Sequence, residues 1–245
     1  MKGFDVADFL ANLTNGFLIE GVFTTVWLTV AAMAGGLVVG FLVALLRMSS
    51  VRMLATTARV YIWFFRGTPL LIQLVVVYSG LPQVGLKFGV VGSALLALIL
   101  NEAAYLAEIM RSGFMAVPSG QTDAALALGL SRVATLWKIT VPQAIRITLP
   151  AFGNSVNGLL KATSITSVIS MEELMRRGEM LMQVKFDVLE VFAAAAVYYL
   201  ALTTLWDYAQ RWLETRYGRP YVAIQADGTK GAAAVMPDAI SPACS

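Results

Sequence analysis

Five long apolar stretches, separated by shorter polar segments, dominate the pattern of this chain. They cover residues 21–46, 55–80, 87–111, 149–170 and 188–213. About 20 apolar residues in a helix are enough to cross a bilayer, so each stretch is predicted to be a transmembrane helix. The fold class is therefore predicted to be an all-α membrane protein. We expect an interfacial lead-in at residues 1–19, a membrane domain over residues 20–221 and a disordered cytoplasmic tail at residues 222–245.

Composition supports this prediction and narrows the chemistry. Of the 245 residues, 58% are hydrophobic and 13% are charged, whereas a soluble domain carries roughly a quarter charged residues. The single cysteine excludes a disulfide within the chain, and a structural metal site is not expected because histidine is absent. The start of the chain lacks the pattern of a cleaved signal peptide, so the N-terminus is expected to be retained.

The segment 118–150 is amphipathic and too polar to cross a membrane. Two short helical patterns, residues 123–128 and 131–140, lie inside it. Capping, turn-forming and helix-terminating residues mark their ends: Thr122 or Asp123 as the first N-cap, Gly129 between the helices, Ser131 as the second N-cap, and Pro142 and Pro150 at the close. The sequence therefore predicts a pair of short helices held outside the membrane.

The distribution of basic residues predicts the orientation. The connection at 47–59, the segment 111–146 and the tail from 211 carry eleven Lys and Arg, whereas the opposite side carries five. Basic residues accumulate in cytoplasmic loops. The N-terminus is therefore predicted to lie outside and the paired helices in the cytoplasm.

Backbone-perturbing residues occur in two of the predicted spans. Gly35, Gly36 and Gly40 in the first span are small enough to let another helix approach closely. Pro69, in the sequence FRGTP of the second span, is predicted to kink the helix and to leave a backbone carbonyl without its usual partner.

Polar side chains inside the predicted spans form stripes at helical spacing. Ionisable groups within a membrane are costly and usually face a protein interior or water, so they are candidate site residues. The candidates for substrate binding are Arg66, Thr68, Asn101, Glu102, Tyr105, Glu108, Asn157, Lys161 and Ser164. Both charge signs are present, which suits a zwitterionic solute. The alternative is that Arg66 and Lys161 neutralise Glu102 and Glu108, and Glu108 could also pair with Arg111.

Several motifs together resemble one family. DAALALGLSRVATLWKITVPQA (123–144) resembles the EAA loop of bacterial ABC-transporter permease subunits. FRGTPLLIQL (65–74), AYLAEIMRSG (104–113), VPSGQ (117–121) and KATSITSVIS (161–170) are similar to the branch that imports polar amino acids. Two positions depart from the pattern. Asp123 stands where Glu is usual, and Ala162 stands where an acidic residue is common.

The resemblance implies a type I ABC importer permease fold in the bacterial inner membrane, with a cytoplasmic coupling loop at about residues 113–148. It implies a second permease subunit, identical or homologous, two cytoplasmic ATPase subunits that bind ATP and Mg, and a periplasmic amino-acid-binding protein. Nucleic acid is not an expected partner. The residues that would couple to the ATPase are Asp123, Ala124, Ala125, Leu128, Gly129, Leu136, Ile139 and Pro142.

The chain has no GxxxxGK[ST] phosphate-binding loop, so it is not expected to hydrolyse ATP or to carry a catalytic residue. The competing interpretation is a proton-coupled carrier or channel that uses Glu102, Glu108 and Lys161 as its relay. The paired cytoplasmic helices argue against it, because a carrier gains nothing from them. Which amino acid or derivative is carried, and whether the two permeases are identical, stay open.

Overall fold

The computed structural model describes residues 4–217, and these form helices joined by short connections, with no strand. In chain order the helices are α1 (Val6–Leu13), α2 (Gly16–Arg47), α3 (Arg52–Gly67), α4 (Leu70–Val75), α5 (Val90–Met115), α6 (Ser119–Ala127), α7 (Arg132–Thr135), α8 (Val141–Ala162), α9 (Leu174–Lys185) and α10 (Val188–Tyr217). π-helical turns at Val76–Gly80 and Leu136–Thr140 and 3₁₀ segments at Leu81–Val84 and Thr163–Ile169 join some of them. The predicted tail at residues 222–245 lies outside the described residues.

The pair α2 and α5 forms the centre of the bundle. A Cβ at Gly36 would lie 3.2 Å from Cβ of Glu102, and one at Gly40 would lie 2.9 Å from the carbonyl oxygen of Ala103. The two helices are therefore in backbone contact, as the small residues predicted, and they run in the same direction, since Gly35 faces Ile99 and Gly40 faces Leu106. Apolar side chains of α8 complete the core, and α8 contacts both α5 and α2.

The second predicted span is broken rather than kinked. Residues 52–67 and 70–84 form two helical pieces bent by 104°. Thr68 is extended (φ −114°, ψ 144°) because a residue before proline is excluded from the helical region. The predicted continuous helix over residues 55–80 is therefore wrong in shape, although its Pro69 does cause the break.

Three helices among residues 4–217 are long and apolar enough to cross a membrane, namely α2, α5 and α10, and the bent pair supplies a fourth if it counts as one span. The remaining predicted span, residues 149–170, has a different form. Its helix, α8, begins at Val141 and ends at Ala162, after which the chain tightens into the 3₁₀ segment. Pro150 lies inside α8 instead of ending the preceding segment. The total of five spans and the outward N-terminus stay predictions.

A helical cap covers the end of the bundle near the start of α2. There α1 packs against α10, so the predicted lead-in is an ordered helix over part of its length. The carboxylate of Glu173 begins α9 by accepting hydrogen bonds from the backbone N–H groups of Met175 (3.0 Å) and Arg176 (2.8 Å), and from the Tyr199 hydroxyl (2.9 Å). Glu173 is fully buried, and this burial raises the pKa of its carboxyl above the usual value.

Candidate functional site

Polar contacts link four helices at one depth of the bundle. Asn101 of α5 donates to the carbonyl oxygen of Phe65 in α3 (3.1 Å). The next residue, Glu102, accepts a hydrogen bond from the Ser155 hydroxyl of α8. Two residues further along α8, Asn157 donates to the carboxylate of Asp207 in α10 (2.7 Å). We refer to these residues as the polar layer.

Side-chain amides replace the backbone hydrogen bond that is missing at the helix break. Pro69 has no N–H to offer the carbonyl of Phe65 four residues earlier. The side-chain amide of Gln73 lies 2.9 Å from that carbonyl oxygen and also contacts Thr68 at its carbonyl (3.1 Å) and hydroxyl (2.9 Å). Asn101 bonds both the Phe65 carbonyl and Oε1 of Gln73 (3.1 Å each). Two of the predicted substrate ligands, Thr68 and Asn101, therefore take part in the hydrogen bonds that stabilise the break.

Arg66 lies next to these hydrogen bonds and is exposed. Its guanidinium carbon is 5.2 Å from the ring centroid of Tyr105, a cation–π contact. Arg66 forms no salt bridge with any carboxylate among residues 4–217. The side chain is therefore held near the bundle surface by an aromatic face, with its donors available.

The acidic candidates have other partners. Glu108 pairs with Arg111 (2.7 Å), one turn further along α5, and lies 3.8 Å from Arg47 at the end of α2. Glu102 is buried, and its partner is the hydroxyl of Ser155. Among residues 4–217, neither Arg66 nor Lys161 forms a direct ion pair with these two carboxylates, whereas the alternative pairing of Glu108 with Arg111 is present.

One face of α8 is polar and open. Asn154, Gly158 and Lys161 recur at helical spacing and are all exposed. Lys161 is the second-to-last residue of α8, because the α-helix ends at Ala162 and the 3₁₀ segment follows. The hydroxyl of Ser164 donates to the carbonyl of Lys161 (2.6 Å), so this candidate caps the helix end.

Asp207 is a polar-layer residue that sequence reasoning missed. Its carboxylate is half-buried and accepts the hydrogen bond from Asn157, whose other amide atom, Oδ1, is buried without a partner. The available signal was an acidic residue within the predicted fifth apolar stretch, which is costly in a membrane.

The predicted pair of short helices is present as α6 and α7. Gly129 has φ +84°, the left-handed conformation that favours glycine, and its N–H and that of Leu130 return to the carbonyls of Leu126 (2.9 Å) and Ala125 (3.1 Å). Ser131 caps α7 by accepting from the N–H of Ala134 (3.2 Å), as predicted. The first helix begins four residues earlier than predicted, with Pro118 at its N-cap, so neither Thr122 nor Asp123 caps it.

The candidate coupling residues divide by exposure. Asp123, Ala124, Leu128 and Leu136 are exposed, Leu128 at 82% of its surface, and Pro142 is exposed in the first turn of α8. Ala125 is buried within the chain, so its methyl group is already used in packing, and Ile139 is half-buried. A cleft of about 430 Å³ separates the two helices, lined by Thr122, Leu126, Arg132, Thr135, Leu136 and Thr140.

The second helix continues into the membrane bundle without a loop. The π-helical turn Leu136–Thr140 joins α7 directly to α8. Pro142 lacks the N–H that would bond to the carbonyl four residues back, which the wider turn accommodates. The prediction that Pro142 closes the segment is therefore wrong: α7, the π-turn and α8 form one uninterrupted helical rod.

Comparison with known proteins gives a consistent result. Residues 36–219 match the family described as the binding-protein-dependent transport system inner membrane component. The octopine transport system permease protein OccM of Rhizobium radiobacter is 39% identical over 82% of this chain and 89% of its own. The glutamine transport system permease protein GlnP of Escherichia coli is 37% identical over 81% of this chain and 92% of its own.

A solved structure, described as an amino acid ABC transporter with histidines, superimposes with a TM-score of 0.82 at 33% identity, covering 88% of this chain and all of the matched chain. Sequence, helix order and backbone geometry therefore agree. The chain belongs to the family of inner-membrane components of binding-protein-dependent transport systems, and it has the fold of an ABC importer permease.

Proposed function

We propose that this chain is the permease subunit of an ATP-driven importer that moves a polar amino acid or an amino-acid derivative from periplasm to cytoplasm. The relatives named for glutamine and for octopine support this substrate class. A partner ATPase, and not this chain, binds ATP and Mg and hydrolyses the nucleotide. A periplasmic binding protein delivers the substrate, and a second permease completes the pathway.

The observation that carries this proposal is the uninterrupted rod of α7, the π-turn and α8. At one end of the rod, α6 and α7 expose Asp123, Ala124, Leu128 and Leu136 to a partner. At the other end lie Ser155 and Asn157 of the polar layer. A displacement of the exposed pair by ATPase closure would be transmitted along the rod into the bundle. A freestanding carrier or channel has no need of such an element.

The second permease would cover the polar face of α8. Lys161 is an exposed cation on a helix of the membrane bundle, and a charge there is costly unless it faces protein or water. The proposed topology has five spans, in which the bent pair and α8 each count once, and an outward N-terminus. In this topology α6 and α7 lie in the cytoplasm, on the same side as the ATPase. This arrangement assigns the polar face to a shared, water-accessible pathway.

Among the predicted ligands, Arg66, Tyr105 and Lys161 are the ones we assign to substrate, whereas Asn157, which donates to Asp207, is assigned to positioning of the pathway. Arg66 and Lys161 are exposed cations without a carboxylate partner in the described part of the chain, so either can receive the substrate carboxylate. Ser164 is assigned with Lys161 because its hydroxyl donates a hydrogen bond to the backbone carbonyl of Lys161. Thr68, Asn101, Glu102 and Glu108 instead have internal partners, and we assign them to positioning of the pathway.

Reconstituted proteoliposomes test the energy source. Uptake should require ATP inside and the binding protein outside, and uptake driven by a pH gradient alone would refute the proposal in favour of a proton-coupled carrier.

The site assignment is tested with Arg66→Ala, which should abolish uptake while the complex still assembles. Arg59→Ala is the matched control, because Arg59 is an exposed arginine two turns earlier on α3 that donates a hydrogen bond to the hydroxyl of Thr56 (2.7 Å). Equal uptake by both variants would remove Arg66 from the site.

A further inference from the structure

The cleft between α6 and α7 is lined by one cation and three threonines, together with two leucines. Arg132, Leu136 and Thr140 project to the same side of the second helix, because they follow one another at intervals of four residues. Thr122 and Leu126 face the cleft from α6 with the same spacing. Within the described part of the chain, no carboxylate lines the cleft. Guanidinium and hydroxyl donors beside leucine methyl groups suit an anion on a short apolar stem.

Two polar groups of this lining lack partners among residues 4–217. Arg132 is exposed and forms neither a hydrogen bond nor an ion pair within that part of the chain. Thr135 is 1% exposed, and its hydroxyl oxygen is buried without a partner. Threonines elsewhere in the helices, such as Thr29 (2.8 Å) and Thr148 (3.0 Å), donate to the backbone carbonyl one turn back. A buried hydroxyl without a partner costs free energy, so a ligand that accepts hydrogen bonds would complete the cleft.

The cleft opens beside the surface that we assign to the ATPase. Leu136 lines the cleft and is also one of the exposed coupling residues. On α6, the exposed Asp123 projects about 60° from Leu126, which lines the cleft. An ATPase that covers these residues removes Arg132 from water. Burial of an arginine without an anion is strongly destabilising, so the surface that covers the cleft has to supply one.

We propose that the cleft receives an acidic side chain of the partner ATPase, an aspartate or a glutamate, whose carboxylate binds Arg132 and the threonine hydroxyls of the lining. The hydroxyl of Thr135 reaches this carboxylate after a rotation about its Cα–Cβ bond, and the two leucines contact the apolar stem. Asp123 beside the cleft gives the same surface a charge of the opposite sign, so the order of charges on the ATPase has to match. The inference rests on the proposed function, because it names the group by which the ATPase binds this chain.

The affinity of the ATPase for the permease tests this proposal. Full-length permease in lipid nanodiscs is titrated with the purified ATPase. Arg132→Gln should weaken binding about tenfold, because hydrogen bonds to a charged group are lost. Lys138→Gln is the matched control and should change the affinity less than about twofold. Lys138 is also an exposed cation, but it lies two residues from both Leu136 and Thr140 and therefore projects away from the cleft.

The outcome for the wild type separates this proposal from the proposed function. Equal affinity of Arg132→Gln and Lys138→Gln, with the wild-type permease binding the ATPase, would overturn the assignment of the cleft and leave the ATP-driven function intact. A wild-type permease that binds no ATPase would refute that function, and the assignment of the cleft with it.

Thr135→Val separates binding from folding. Valine has the shape of threonine and removes the hydroxyl that lacks a partner, so the thermal midpoint of the permease alone should stay the same or rise. The affinity for the ATPase should nevertheless fall about fivefold, the value of one neutral hydrogen bond. A lower midpoint with unchanged affinity would show a structural role for Thr135 and overturn its place in the site.

Carbodiimide cross-linking of the assembled transporter identifies the occupant. The reagent joins an amine to a carboxylate in contact with it, and Arg132→Lys supplies the amine. We expect mass spectrometry to find residue 132 linked to an aspartate or glutamate of the ATPase, whereas a link only to Asp123 of this chain would overturn the proposal. Free glutamate that binds the permease alone, with binding lost in Arg132→Gln and ATPase affinity unchanged, would assign the cleft to a soluble anion and also overturn it.

Discussion

The hydrogen bonds around the helix break allow a quantitative prediction. Gln73→Leu keeps the size of the buried side chain and removes its contacts with Phe65, Thr68 and Asn101. The amide has two hydrogens, so with the bond from Asn101 about three full bonds are lost. Side-chain hydrogen bonds within membrane proteins are worth about 0.6 kcal/mol on average. We therefore expect the variant to lose about 2 kcal/mol of unfolding free energy.

The double variant with Asn101→Leu tests the reasoning more sharply. In either single variant the Phe65 carbonyl keeps one donor, from Asn101 or from Gln73. In the double variant it has none, and a buried carbonyl without a partner costs about 1–3 kcal/mol. The loss in the double variant should therefore exceed the sum of the single losses by about 1 kcal/mol.

Reversible unfolding in mixed micelles with increasing dodecyl sulfate, followed by circular dichroism, measures these differences. Gln83→Leu is the matched control, because Gln83 is an exposed glutamine with one long bond (3.4 Å) to Ser79. Its unfolding free energy should change by less than about 0.5 kcal/mol. Additivity of the single losses within about 0.5 kcal/mol, or a Gln73→Leu variant as stable as the control, would refute the account of the break.

Three further predictions concern packing, coupling and pH. Gly40→Leu should prevent stable folding, since even a Cβ there lies 2.9 Å from the carbonyl oxygen of Ala103, and a helical, monodisperse product on gel filtration would contradict the close contact. Gly129→Val should leave the spans folded and uncouple ATP hydrolysis from uptake, because valine disfavours φ +84°; uptake per ATP equal to wild type would contradict this. The pKa of Glu173 is raised in the folded state, so above the usual glutamate pKa of about 4.3 the unfolded state releases a proton that the folded state still holds. The unfolding free energy should therefore fall as the pH rises from about 4.3 towards the raised pKa. Glu173→Gln should flatten this part of the pH profile, and an unchanged profile would exclude Glu173 as the titrating group.

The sequence by itself determined the membrane class, the helical pair and the family. Apolar runs long enough to cross a bilayer can be recognised without tertiary contacts, because the bilayer thickness sets their length. Gly129 and Ser131 were identified correctly because turn and capping preferences are local. The disturbance at Pro69 followed from the missing N–H of proline, which is also a local property, but the sequence predicted a kink and not the 104° break between two helical pieces.

Only the tertiary structure decided which polar residues are engaged and which are free. Asn101 and Thr68 looked like ligands, yet their partners lie around the break, and the residue that links them, Gln73, belongs to a separate helix. Asp207 was missed because its contact with Asn157 joins residues 50 apart in the chain. A hydrogen bond over that separation depends on how α8 crosses α10, and periodicity within one helix carries no information about that crossing.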